Sequence, residues 1–280
     1  MKKIISIALV AIMLVSTMLV FSSCGKTEGV KVINIKLTDE EYAFAVKKGD
    51  SELLASLNAF LADIKENGKF EEILDKYFGE GTPTAVVSAT KDESKDQIVV
   101  ATNAAFAPFE YKEGNNYYGV DMEIMKMYAD SVNKELVIDN MDFDAVCTSV
   151  GQGKCDIAAA GLTVNEKRKE IVDFTESYYD ASQMIVVMAK DTTFDDCKTV
   201  EDVEKILNSY GDDKKCGVQA GTTGAFYAKG DADWGFDGFK FTTKDYPNAG
   251  LAVKDMQNGN LNFVIVDEAP AKKLVETLNG

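Results

Sequence analysis

From Gln97 to the C-terminus the chain alternates short apolar runs with stretches whose apolar residues recur at helical spacing. No other feature limits the fold as much. "IVVAT" (98–102) and "QMIVVM" (183–188) read as short buried strands. "GVDMEIMKMYADSV" instead puts Ile124, Met125, Tyr128, Ala129 and Val132 on one helical face. Thr199 reads as the N-cap of a helix with Val203, Ile206, Leu207 and Tyr210 on one stripe, and "FVIVDEAPAKKLVETL" runs from strand into helix. Strands that alternate with helices predict an α/β fold with largely parallel sheets. The segment before Gln97 differs. "VKVINIKL" (30–37) and "YAFAV" (42–46) are strand-like, Asp50 caps an amphipathic helix bearing Leu57, Phe60, Leu61 and Ile64, and "KFEEILDKYFG" forms a second. Residues 80–96 carry small, polar and charged residues without a helical stripe and read as a linker.

The first residues bear on where the chain works. A basic start (Lys2, Lys3), an apolar run to Phe21 and small residues before Cys24 form a secretion leader over 1–24. It resembles a bacterial lipoprotein signal, with Cys24 lipidated and the protein held outside the cytoplasm. Against 46 Asp plus Glu stand 30 Lys plus Arg, a formal net charge of −16, which repels nucleic acid. The chain has no histidine, which removes Ser-His-Asp and Cys-His catalysis and disfavours zinc; neither a metal nor a cofactor is expected. Beyond Cys24 there remain Cys147, Cys155, Cys197 and Cys216, an even number that in an exported chain reads as two disulfides with three connectivities open.

Arg168 is the single arginine of a chain that otherwise uses lysine. It follows "AAAGLT", a buried run ending at Gly161 and Thr163, where ligands bind open α/β sheets. A guanidinium fork matches a carboxylate in a way an ammonium cannot, so Arg168 reads as the clamp for a ligand carboxylate. "VQAGTTGA" (218–225) offers a glycine-bounded turn with Thr222 and Thr223 at a helix start, a second anion site. Asp267 ends the run "FVIVD", as an N-cap or as the partner of a ligand ammonium.

Taken together, "ATNAAFAPFEYKEGNNYYGVDMEI", "MDFDAV", "GKCDIAAAGLTVNEKRKEIVDFTESYY", "CGVQAGTTG" and "VIVDEA" resemble the amino-acid-binding family of extracytoplasmic solute-binding proteins that serve ABC importers. The resemblance implies the two-lobed, type II periplasmic-binding-protein fold with two hinge strands, closing over an L-α-amino acid. It further implies that Arg168, Thr163 and Thr223 hold the carboxylate, while Asp267 and the Gly161 carbonyl hold the ammonium. Phe106 and Phe143 would sandwich the side chain, with Asn103 and Gln219 at its end. Amides there, without a carboxylate, favour a neutral polar side chain.

Members of that family continue past a helix like "DEAPAKKLVETLNG", whereas residues 30–79 resemble the family's tail placed in front. The expectation is a circular permutation: lobe 1 from 40–79 plus 97–188, lobe 2 from 30–37 plus 192–280, and 80–96 as linker, with a crossing near 187–191. With the lobes so defined, Cys147–Cys155 and Cys197–Cys216 are the disulfides that stay within one lobe. The expected partners are the ligand, importer membrane subunits and, through the lipid, the membrane; the chain is expected to be a monomer. Two other readings compete. One is a dehydratase-like enzyme on the same fold, with Asp142, Asp144 or Asp267 as acid–base group; the other is an interaction lipoprotein without a ligand.

Overall fold

Two five-stranded sheets carry the fold, and both are built to one plan. The computed structural model describes residues 29–280; the leader and Cys24 lie outside the described residues. The front segment supplies β1 (Val30–Ile33), β2 (Glu40–Tyr42), β3 (Ala45–Lys47), α1 (Ser51–Glu66) and α2 (Lys69–Phe78). The middle supplies β4 (Gln97–Thr102), the hairpin strands β5 (Ala105–Phe106), β6 (Glu110–Glu113) and β7 (Asn116–Tyr118), then α3 (Val120–Ser131) and β8 (Glu135–Asn140). It continues with α4 (Phe143–Gly151), β9 (Ile157–Ala158), α5 (Glu166–Lys169), β10 (Val172–Phe174) and β11 (Tyr179–Ala181). The last part supplies β12 (Gln183–Met188), α6 (Val200–Ser209), β13 (Lys215–Gln219), α7 (Thr223–Lys229), β14 (Thr242–Tyr246), α8 (Ala249–Gln257), β15 (Phe263–Asp267) and α9 (Glu268–Asn279).

Lobe 1 has the sheet order β10-β3-β9-β4-β8 and lobe 2 the order β1-β12-β15-β13-β14. In each, three strands run parallel, one strand (β3 or β12) joins them antiparallel, and an edge strand (β10 or β1) pairs antiparallel with that one. The order of each parallel half creates a switch point, between β4 and β9 and between β13 and β15, and the C-terminal ends of those four strands become the place to look for a site.

The front segment is woven into both lobes. β1 adds to the edge of the lobe 2 sheet beside β12, and β3 is inserted between β9 and β10 in lobe 1. Between them β2 pairs antiparallel with β11, and these two strands are the crossings. α1 and α2 cover lobe 1, burying Leu57, Leu61, Ile64, Phe70 and Ile73, while Phe60 is half-buried edge-on to Tyr128. Asp50 caps α1 by accepting from the Leu53 amide. Residues 80–96 hold no helix and run over lobe 1, with Val86 bridged to Tyr117 and the Ala89 amide donating to Leu136. At the surface of lobe 2, the Val30 amide donates to Asn279 Oδ1 (3.1 Å) and Asn279 Nδ2 to the Val30 carbonyl (2.8 Å).

Two expectations are corrected. Gln183–Met188, assigned to lobe 1, is the second strand of the lobe 2 sheet, so the crossing falls at 179–181 and not at 187–191. An apolar run such as "QMIVVM" is buried in either sheet, and its pairing decides which. The disulfides are also absent, since Cys147, Cys155, Cys197 and Cys216 are all free thiols. Each pair does share one apolar cluster, but packing satisfies the sulfurs without a bond. Cys155 Sγ lies 3.2 Å from Ser149 Oγ, and Cys216 is completely buried in β13.

Candidate ligand-binding site

The ends of β4, β9, β13 and β15 bring together most of the residues singled out in the sequence. Asn103 follows β4 and Gln219 ends β13; both are buried, and Gln219 Nε2 donates to Asn103 Oδ1 across the lobes at 3.1 Å. Asn103 Nδ2 in turn donates to the Met141 carbonyl (2.7 Å). That leaves Gln219 Oε1 a buried acceptor without a partner among the described residues. Thr163, beyond β9, meets Thr223 at the start of α7, the two hydroxyls 3.2 Å apart. Thr222 caps that helix by accepting from the Ala225 amide.

Gly161 lies between β9 and Thr163 with φ +53, in the left-handed region. A Cβ there would stand 2.8 Å from Phe106 Cε1, so both backbone and ring require glycine. Its amide donates to Asp121 Oδ2 (3.0 Å). Phe106 is buried and stacks on Phe109, 6.1 Å between centroids.

Asn165 caps α5 by accepting from the Arg168 amide, and this fixes where the arginine side chain leaves the helix. Nη1 donates to the Thr163 carbonyl (2.7 Å) and Nη2 to the Gly221 carbonyl of lobe 2 (3.2 Å). The guanidinium lies over Phe143 at 5.3 Å and over Trp234 at 5.2 Å. Burial lowers its pKa, and no carboxylate among the described residues pairs with it. Arg168 remains partly exposed as a residue, beside a lobe-spanning cavity of about 200 Å³ lined by Phe143, Cys147, Gly221, Phe226 and Trp234. A larger hollow of about 670 Å³, beside Lys91 and Gln152, holds none of the strand-end residues.

The crossings add residues that the sequence did not mark. Tyr42 donates to Asp267 Oδ1 at 2.5 Å. Glu40 is buried and accepts from Thr38 Oγ1 (2.6 Å), Thr163 Oγ1 (2.6 Å) and Gln183 Nε2 (2.9 Å). Burial, and then the charge of Glu40, pushes Asp267 up to about 7, against the pull of the Tyr42 hydroxyl. Behind them Asp121 is likewise pushed up to about 7 by burial, with Tyr178 and the Gly161 amide pulling it down. Glu110 is completely buried with both oxygens unpaired among the described residues, and burial beside Asp121 and Asp267 drives it well above the usual carboxylate range. Tyr42 sits in an ordinary strand-like run, and Glu40 in a charged one. Only the pairing of β2 with β11 brings them to the cleft. Of the acids considered for catalysis, Asp142 and Asp144 are exposed at the start of α4, and Asp267 alone is buried among the strand-end residues.

The corner thus offers a guanidinium with no carboxylate in direct contact among the described residues, and the charges of Glu40 and Asp267 nearby, which suits a zwitterion. The pattern of the bacterial extracellular solute-binding proteins, family 3, matches residues 6–80 and 98–266. The arginine-binding extracellular protein ArtP of Bacillus subtilis is 37% identical over 95 residues, 34% of this chain and 37% of its own length. A probable histidine-binding protein of Neisseria gonorrhoeae is 30% identical over 173 residues, 61% of this chain and 58% of its own. The matches thus span less than two thirds of these curated relatives. Among solved structures, the amino-acid ABC transporter substrate-binding protein AbpA of Streptococcus pneumoniae, bound to L-arginine, is 33% identical with a TM-score of 0.55, over 66% of this chain and 73% of that one.

Proposed function

Because the chain belongs to family 3 of the bacterial extracellular solute-binding proteins, with their two-lobed type II fold, we propose that it captures an L-α-amino acid and delivers it to an ABC importer without transforming it. The observation that carries this reading is Arg168: a half-buried fork held by two carbonyls and two rings, with no carboxylate in direct contact among the described residues. A ligand carboxylate supplies the missing charge, with Thr163 and Thr223 beside it, and the ligand ammonium faces Asp267 and the Gly161 carbonyl. Phe106 lines the side-chain path. Gln219 Oε1 then accepts from the end of a neutral polar side chain that carries N–H donors, an amide above all. The relatives named for histidine and arginine also take side chains with N–H groups. Anchoring through Cys24, supported by the leader pattern alone, and a monomeric state complete the proposal.

The same proposal includes the permutation. The Val30–Asn279 hydrogen bonds, the paired crossings and the two separate stretches of family match support it.

Thermal shift followed by calorimetry over the amino acids and prephenate-like acids tests the function. Glutamine or another amide-bearing amino acid is expected to raise the melting temperature most. Lysine or arginine binding far more tightly than glutamine would overturn the side-chain class. A shift by the cyclic acids alone would move the protein to the enzymes, and no shift at all would end the binding reading.

Affinity should also depend on pH. The ammonium needs Asp267 ionised, so below about pH 7 each unit should weaken binding by up to about tenfold, with a plateau above. The free protein should show the opposite trend at this group. The folded pKa of Asp267 lies above its unfolded value, so its stability contribution is complete below about pH 4 and is lost as pH rises through about 7. Asp267→Asn should therefore flatten the affinity profile. A profile that keeps its slope in that variant would exclude Asp267 as the ammonium partner.

A further inference from the structure

Trp234 is the only tryptophan of the chain, and it stands outside the strand-end set. It lies in a lobe 2 loop, residues 231–238, whose ends are tied by a backbone bridge between Asp231 and Phe236. Its ring stacks on Phe226 of α7 at 4.7 Å with 26° between planes, which fixes the indole on lobe 2. The other lobe presents Lys167 and Arg168 to this loop. Lys167 pairs with Asp233 at 3.2 Å and Asp231 at 3.7 Å, while the Arg168 guanidinium lies over the indole.

Three kinds of contact therefore join one dipeptide of lobe 1 to one corner of lobe 2: ion pairs, a cation–π contact and the hydrogen bond from Arg168 Nη2 to Gly221. Phe143 belongs to lobe 1 and stays with Arg168 whatever the lobes do. Trp234 and Gly221 reach the guanidinium only when the lobes meet. A guanidinium held by two rings and two carbonyls has little freedom to turn, and two of those four holds, Trp234 and Gly221, come from lobe 2.

We infer that Trp234 is a positioning residue for Arg168 and that its loop sets how long the lobes stay together on a ligand. The inference rests on the binding reading above. Its effect belongs in the dissociation rate, because the contact forms after the ligand has entered and breaks before it leaves.

The test uses the full chain with Trp234→Ala, Trp234→Phe, Asp233→Asn and Lys167→Ala, following release of glutamine by stopped flow. Trp234→Ala is expected to speed release roughly three- to thirty-fold, the range of a cation–π contact, and to leave the association rate within about a factor of two. Trp234→Phe keeps a ring over the guanidinium and should recover most of the loss. Asp233→Asn should change affinity by no more than about fivefold and reduce its salt dependence, as expected of an exposed ion pair. Release at the wild-type rate from Trp234→Ala would overturn the inference. So would Trp234→Phe releasing as fast as the alanine variant, since a ring would then supply nothing. A second readout uses the protein saturated with glutamine: acrylamide quenching of the lone tryptophan should increase in Lys167→Ala, and unchanged quenching there would also overturn it. A wild type that binds no amino acid would instead end the binding reading and this inference with it, whereas a binding wild type with unaltered variants ends this inference alone.

Discussion

Arg168→Lys should bind its amino acid a few hundred- to several thousand-fold more weakly, although the charge is kept. Truncating one partner of a buried ion pair costs about 3–5 kcal/mol, which converts to a loss of that size. Lysine is close to a truncation here. The guanidinium donates to the carbonyls of Thr163 and Gly221 and lies over the rings of Phe143 and Trp234. An ammonium has no plane to place between two rings, and it is more strongly hydrated, so it gains less and costs more to desolvate. Thermal stability should change little by comparison, because Arg168 has no carboxylate partner within the described residues to be stranded. Calorimetry and a melting curve on the same variant separate the two effects. An unchanged dissociation constant would make Arg168 an ordinary surface residue.

Residues 97–280 expressed alone should fail to fold. In the opposing view the front segment is a separate module, and its loss would leave the rest intact. The sheet order argues otherwise, for β3 lies between β9 and β10, and without it β10 has no neighbour in the lobe 1 sheet. Phe44 and Val46 are completely buried, with Phe44 stacked 4.5 Å from Tyr178. Leu57, Leu61, Ile64, Phe70 and Ile73 leave with the two helices. At about 1.5–3 kcal/mol for each fully buried large side chain, seven such losses reach the roughly 5–15 kcal/mol that holds a whole domain together. A cooperative melt from 97–280 with normal ligand binding would refute this. Moving 29–79 behind residue 280 through a short linker should restore a folded binding protein, if the permutation holds, because Val30 and Asn279 are already hydrogen-bonded neighbours.

How far the sequence could be read follows from what each signal measures. Gly161, Thr163, Arg168, Gln219 and Asp267 follow or end apolar runs, and the chemistry of α/β strand ends makes such positions legible one at a time. Glu40 and Tyr42 reach the same cleft from a crossing and Gln183 from the start of β12, where nothing local distinguishes them from a solvated acid, a core aromatic and the first residue of a strand. Trp234 comes from a loop after α7, and only the contact between lobes gives it a role. The cysteines mark a different limit, since an even count fixes neither distance nor orientation. Cys147 and Cys155 share a cluster, as do Cys197 and Cys216, and both pairs remain thiols. Alternation of strand and helix located β12 but not its sheet, because burial has the same pattern on either side of a crossing.

The two hydrogen bonds between Val30 and Asn279 have a mechanical meaning. Both ends of the described chain attach to lobe 2, so a pull between them loads that lobe first, by peeling β1 from the edge of its sheet. Neither crossing strand carries tension until β1 has gone. A tether ahead of residue 29 likewise makes lobe 2 the fixed half of the jaw. Lobe 1, with Lys167 and Arg168 at its rim, becomes the half that swings.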